Sequence, residues 1–232
     1  MDTSLKQKRG LQTTVGFKVV MAFSGIVLVI FVLFHMYGNL KMFFGAESYN
    51  HYAEWLKHDL LYPILPHGWF IWIFRICLLL FLLGHAGAAA CLFLRNRRAR
   101  GSQYKVTKGS KKKVPLASRT MKIGGIFLLI FIVFHILHFT TGTIRTGFVA
   151  DSTPYERMVA TFQNPLMVVV YLIFVGLAAL HVSHGFWSAF QSLGWVRGGT
   201  RKFMEVLSGL VGALIFLMFA LPPLAIVAGY IS

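Results

Sequence analysis

Six of the nine histidines in this 232-residue chain, His35, His85, His135, His138, His181 and His184, fall in the interior of long apolar stretches. An imidazole in hydrocarbon loses its hydration, so its presence there points to a bound metal, a proton path or a neighbouring helix. A single ring is accounted for by a hydrogen bond to another helix. Four deep rings on four separate stretches need a shared explanation. Neutral imidazole is a good metal ligand, and two imidazoles facing each other at equal depth suit a metal held from both sides.

The elements that must carry these rings are legible from hydropathy. Of the residues, 56% are hydrophobic and 13% charged, with a mean hydropathy of +0.67. A soluble domain of that composition would lack polar surface, so the chain reads as an all-α integral membrane bundle of five transmembrane helices. Each span is long enough to cross about 30 Å of hydrocarbon. The spans run approximately over 19–40, 67–94, 123–143, 165–193 and 206–231, in one domain covering 1–232. Only the second holds a permanent charge, Arg75, near its start. No small-residue cleavage pattern follows the basic start, so no removed signal peptide is expected. Pro222 and Pro223 should kink or break the last helix.

The net charge of +16 is unevenly distributed. Eighteen of the 23 Lys and Arg lie in the N-terminal tail, in the segment from Arg95 to Lys122, or after span four. In a five-span chain these share one side. Positive-inside bias then places the N-terminus in the cytoplasm of a multi-pass protein of the cell inner (plasma) membrane. Anionic lipid or a docked cytoplasmic subunit is the expected counterpart of this basic face, and nucleic acid is excluded. The segment Arg95–Arg119 reads as a solvated loop, and Glu47–Lys57 and Asp151–Asn164 as short outer interfacial helices. Cys77 and Cys91 read as small buried apolar residues. No C-x-x-C-H occurs, so covalent haem attachment is excluded.

Depth sorts the histidines into pairs. His35 and His135 lie about 16 and 12 residues into spans that start at the cytoplasm, roughly 24 and 18 Å deep. His85 and His181 lie about 18 and 16 residues into spans that start outside, roughly 24–27 Å deep. Two layers result, an outer one with His35 and His135 and an inner one with His85 and His181. A weak repeat agrees: FVLFH ends at His35 and FIVFH at His135, each followed by a span with a deep histidine 50 and 46 residues on. Each layer is expected to bind one b-type haem iron, two haems in all. Iron with both axial positions filled has no site for oxygen, so the expected work is electron transfer. Zinc is disfavoured because neither layer has a carboxylate or thiolate. Gly38, Gly84, Gly87, Ala88, Gly176, Ala178 and Gly185 would let a flat macrocycle approach the backbone, and ordinary small-residue packing between helices accounts for any one of them equally well. The repeat selects His135 over His138. It does not separate His181 from His184, three residues beyond, whose position also suits contact with a haem propionate. His51, His58 and His67 belong to the outer loop.

Several segments resemble the cytochrome b membrane-anchor subunit of succinate dehydrogenases and fumarate reductases, of the single-chain, five-helix, dihaem type. They are FHMYGNL around His35, AESYNHYAEWL from Ala46, GHAGAAACLF around His85, SRTM before the FHILHF span, FQNP ending at Pro165, and HVSHGFWSAFQSLGW from His181. The last is the most specific, and together they cover most of 15–200. The resemblance implies haem ligation by His35, His85, His135 and His181, paired as the depths pair them. It implies cytoplasmic partners, a flavoprotein bearing FAD and an iron–sulfur subunit, with those cofactors confined to the partners. Electrons from succinate would reach a quinone, usually menaquinone, and the whole complex could associate further. Some members carry a glutamate on the fourth helix for proton transfer; here 177–180 read LAAL. A quinone needs a donor and a proton path, for which Ser24, His51, Glu54 and Arg75 are the candidates. Two other readings compete: the dihaem anchor of another quinone-linked dehydrogenase, and a haem-free structural anchor using histidines as polar glue.

Overall fold

The computed structural model describes residues 13–100 and 116–232. Seven α-helices occur there, with no strand among the described residues: α1 Thr14–Leu40, α2 Gly45–Glu54, α3 Trp69–Arg100, α4 Leu116–His135, α5 Pro154–Phe162, α6 Pro165–Ser192 and α7 Arg201–Val227. Five of them, α1, α3, α4, α6 and α7, are long and apolar enough to cross a membrane. Most of their large side chains outside the contacts described below are exposed, as lipid-facing surface requires, among them Phe23, Phe34, Ile76, Leu80, Ile130 and Leu217.

Local signals explain three of the helix starts. Thr13 caps α1, its hydroxyl accepting from the Gly16 amide at 2.9 Å. Thr153 and Glu156 form a reciprocal capping box at the start of α5, with Pro154 in the first turn. Asn164 caps α6 ahead of Pro165, its side-chain oxygen 2.9 Å from the Leu166 amide. One turn of π-helix, Trp55–Asp59, continues α2, and another, Ile136–Thr140, continues α4.

Several boundaries differ from the sequence reading. α3 runs to Arg100 and α4 begins at Leu116, so helix extends into both ends of the segment expected to be a loop. Charged residues end an apolar run without ending a helix, because Arg and Lys are good helix formers. The remainder of that loop, 101–115, and the first twelve residues lie outside the described residues. α7 spans 201–227 where 206–231 was expected, and it passes through Pro222 and Pro223 without a break. The fixed proline φ is itself helical, and both rings are buried, so packing holds the segment. Cys77 is exposed and Cys91 only partly buried, contrary to expectation, because α3 packs chiefly through the face it turns to α1.

The packing order positions the histidines. The long helices that pack closely are α1 with α3, α1 with α6, α4 with α6, and α7 with both α6 and α1. This makes a row α3–α1–α6–α4, with α7 laid behind α1 and α6. Neighbours run antiparallel: Phe23 meets Phe81 and Phe31 meets Phe74 across α1 and α3, and Phe131 stacks on Phe174 across α4 and α6 at 4.3 Å. Hence α1 and α4 run in one direction, α3 and α6 in the other. The tightest seam joins α6 and α7, where a Cβ on Gly212 would lie 2.8 Å from the Ala179 carbonyl oxygen and 2.9 Å from Ser183 Cβ. The densest core lies at the end of the bundle where α1 stops. There Met42, Met158, Phe162, Val168, Tyr171 and Ile226 pack together.

Gly212→Ala should force α6 and α7 apart and cost about 1–3 kcal/mol, read as a lower unfolding midpoint of the detergent-solubilised chain. Gly209→Ala is the control. Nothing lies within 4 Å of a Cβ at 209, so this change should be neutral or stabilising.

Candidate functional site: two facing imidazole pairs

The row of helices brings together side chains from pairs that do not themselves pack closely. α1 and α4 are separated by α6, yet the rings of His35 and His135 meet with centroids 5.8 Å apart and planes at 83°. α3 and α6 are separated by α1, yet His85 and His181 meet with centroids 6.2 Å apart and planes at 64°. These are the two pairs named from depth. Ten residues of α1 separate His35 from Gly25, which faces His85, so the pairs lie about 15 Å apart along the bundle.

The first pair sits among aromatic rings. Phe31 stacks on His35 at 5.5 Å, and Phe219 of α7 closes another side at 5.7 Å. Phe131, Phe139 and Tyr171 surround His135. The Nδ1 of His135 is buried and makes no hydrogen bond.

The second pair is bounded by glycines. A Cβ on Gly25 would lie 3.2 Å from His85 Cε1, and one on Gly125 would lie 3.6 Å from His181 Cε1. Between glycine and ring the close approach at His85 leaves almost no room. His85 Nδ1 lies 3.1 Å from the Met21 carbonyl oxygen and 3.4 Å from Ser24 Oγ. A carbonyl can only accept, so Nδ1 carries the proton and the Nε2 lone pair is left for a ligand. His181 Nδ1 is buried without a partner.

His138 is a different kind of residue. It is completely buried, with Nδ1 2.7 Å from the Tyr171 hydroxyl and Nε2 2.7 Å from Thr146 Oγ1. Thr161 Oγ1 adds a contact at 3.3 Å. Both ring nitrogens are engaged, so neither is free to bind a metal. The ring instead ties the end of α4 to α5, α6 and the loop between α4 and α5. The sequence reading set His138 aside as a ligand but did not find this network, which depends on three hydroxyls distant in sequence. The glycine contacts were also missed, although a signal was present: Met21–His35 and Met121–His135 are identical at eight of fifteen positions, Gly25 and Gly125 included.

The remaining candidates are scattered. His184 lies near Trp187 with centroids 6.5 Å apart, and the Trp187 Nε1 is buried without a partner. Ser24 is buried beside His85. Glu54 pairs with Lys57 at 3.0 Å and His58 at 3.4 Å, while His51 is exposed. Arg75 is exposed and lies over the Trp72 ring at 5.0 Å. Ser24 stands sixteen residues, about 24 Å, before the end of α1, whereas Glu54 and His51 lie on α2 beyond that end. One quinone ring cannot touch both ends, so these four residues do not form a single site. Of the small residues expected beside a macrocycle, Gly84, Gly87 and Gly185 face open space, whereas Gly38 is closed by Tyr52 at 3.0 Å and Gly176 by Phe216 at 3.7 Å.

The chemistry of the donor set is restrictive. Among the described residues no group of three or more His, Cys, Asp or Glu is placed to hold a metal ion. Zinc takes four protein ligands in structural sites and three in catalytic ones, so two imidazoles are too few. Two facing imidazoles fit a metal that brings its remaining ligands with it, as iron in a porphyrin does. Two metal–nitrogen bonds of about 2 Å, with each ring centre lying further out, require centroids about 6 Å apart. Both pairs meet that separation, and rotation about the shared axis accommodates either interplanar angle.

Tyr171→Phe keeps the aromatic packing but leaves a His138 nitrogen without a partner, which should cost about 1–3 kcal/mol. Thermal unfolding in detergent reads this, with Tyr62→Phe at an exposed position expected to be silent. The site is read from its own geometry, because no family model, curated protein or solved structure matches this chain.

Proposed function

We propose that this chain is the dihaem cytochrome b anchor of a succinate dehydrogenase or fumarate reductase. It would carry electrons between the iron–sulfur clusters of soluble partners and a membrane quinone. The observation that carries the reading is the presence of two facing imidazole pairs, at 5.8 and 6.2 Å, supplied by four different membrane helices. The resemblance of HVSHGFWSAFQSLGW and the other quoted segments supplies the identity of the partners.

Haem bound between each pair supplies reversible one-electron chemistry. His35 and His135 would hold one iron, and His85 and His181 the other, a donor set suited to electron transfer. The Met21 carbonyl holds the His85 ring in the tautomer whose Nε2 can ligate. Phe31, Phe131, Phe139 and Phe219 keep water from the first pair. The spacing of about 15 Å along α1 would put the two pairs at different depths in the membrane, which suits a relay across it. The basic residues, eighteen on one side in this topology, support docking of the soluble flavoprotein and iron–sulfur subunits on the cytoplasmic side. Menaquinone is the quinone class that the resemblance implies, and α2 with its carboxylate Glu54 and His58 offers proton-exchanging groups at the opposite end.

The purified chain should show a dithionite-reduced minus oxidised spectrum of b type, with two haems per chain by pyridine haemochrome. His35→Ala and His181→Ala should each remove one haem, and a different one. His138→Ala should lower stability yet retain both. A colourless wild-type chain, isolated gently with its partners, would move the assignment to a haem-free anchor.

A further inference from the structure

The two halves of the bundle set equivalent glycines against the second histidine pair, but the residues just before those glycines differ. Met21–His35 of α1 and Met121–His135 of α4 share methionine, glycine and histidine at equivalent places. Gly25 faces the His85 ring, and Gly125 faces the His181 ring. Immediately before those glycines stand Ser24 in one half and Gly124 in the other.

That difference changes what each ring can bond to. Ser24 donates its single hydroxyl hydrogen to the Val20 carbonyl at 2.6 Å, so toward His85 its oxygen presents only lone pairs. His85 Nδ1–H therefore has two acceptors, the Met21 carbonyl at 3.1 Å and Ser24 Oγ at 3.4 Å. In the other half His181 Nδ1 is buried with no partner. Gly124 is itself buried, and a Cβ there would meet nothing within 4 Å, so a side chain has room.

Resting on the haem reading, we propose that Ser24 is a positioning residue that makes the two ligands of this pair unequal. With the Met21 carbonyl it orients His85 and pulls its Nδ1 proton outward, while His181 is left without such help. An imidazole whose Nδ1–H is drawn toward an acceptor gains negative character at Nε2 and is the stronger donor to the metal. A stronger donor favours the oxidised metal and lowers the potential of that centre. Ser24, which has no counterpart at Gly124, therefore adds to the Met21 carbonyl in lowering the potential of the His85–His181 centre without altering the His35–His135 centre, about 15 Å away along the helix.

Optical redox titration and low-temperature electron paramagnetic resonance of the full haem-loaded chain test this, with haem content measured in parallel. Ser24→Ala should raise the midpoint potential of one haem component, the one removed by His181→Ala, and shift its g values. Ser24→Thr, which keeps the hydroxyl, should restore both. Gly124→Ser should lower the same potential by giving His181 an acceptor, and the double variant should return toward wild type. The other component should stay in place throughout. Two haems with unchanged potentials and g values in Ser24→Ala and Gly124→Ser would overturn the proposal alone, as would equal shifts of both components. Absence of haem from the wild-type chain would overturn the proposal together with the reading it rests on, and the haem count distinguishes the two.

Discussion

A ring nitrogen buried in an apolar bundle without a bonding partner costs about 1–3 kcal/mol, and six imidazoles on membrane helices put that constraint at the centre of this structure. The rings meet it in different ways. His138 bonds through both nitrogens to hydroxyls from three other segments, and so acts as a clamp at the end of α4. His85 gives its Nδ1 proton to the backbone of α1. His135 and His181 keep a buried Nδ1 with no partner. A residue whose polar groups are all satisfied stabilises the fold, whereas a ring whose Nε2 lone pair is not used within the protein is available for a ligand.

The arrangement of helices follows from keeping those rings face to face. Each pair comes from helices that flank a third rather than from helices that pack closely, since α6 lies between α1 and α4, and α1 between α3 and α6. Two backbones that packed closely would leave no space between opposed side chains for a flat group. Stability must then come from elsewhere. The Gly212 seam draws α6 and α7 together, and the Met42–Phe162–Tyr171 core closes the end of the bundle. α7 carries no deep histidine, yet its Phe219 lies against His35, so it supports the first pair from behind.

Much of this was legible because two periodic rules apply along a membrane helix. A constant rise converts residue number to depth, and alternating span direction decides from which side depth is counted. Together they pair His35 with His135 and His85 with His181 before any contact is known. The same rules say nothing about what surrounds a ring. Ser24 is the clearest case: from its type and position it was a candidate for a quinone, and its structural place is beside His85, bonded to its own helix. Helix ends were read short where Arg and Lys follow an apolar run, since hydropathy reports the solvent rather than the backbone. Pro222 and Pro223 were expected to interrupt α7, but burial of both rings in a packed segment outweighs the lost hydrogen bonds.

Hydropathy, the uneven distribution of charge and the pairing of four histidines were therefore legible in the chain alone, because each depends on local composition and on a fixed helical rise. Which nitrogen of His85 carries its proton, why His138 is not a ligand and which glycines touch a ring depend on atoms brought together from distant positions. Thr146 and Tyr171 lie 8 and 33 residues from His138, and Met21 lies 64 residues from His85. Hydrogen bonding acts over about 3 Å, so only the packed arrangement of helices, and not the order of residues along them, decides it.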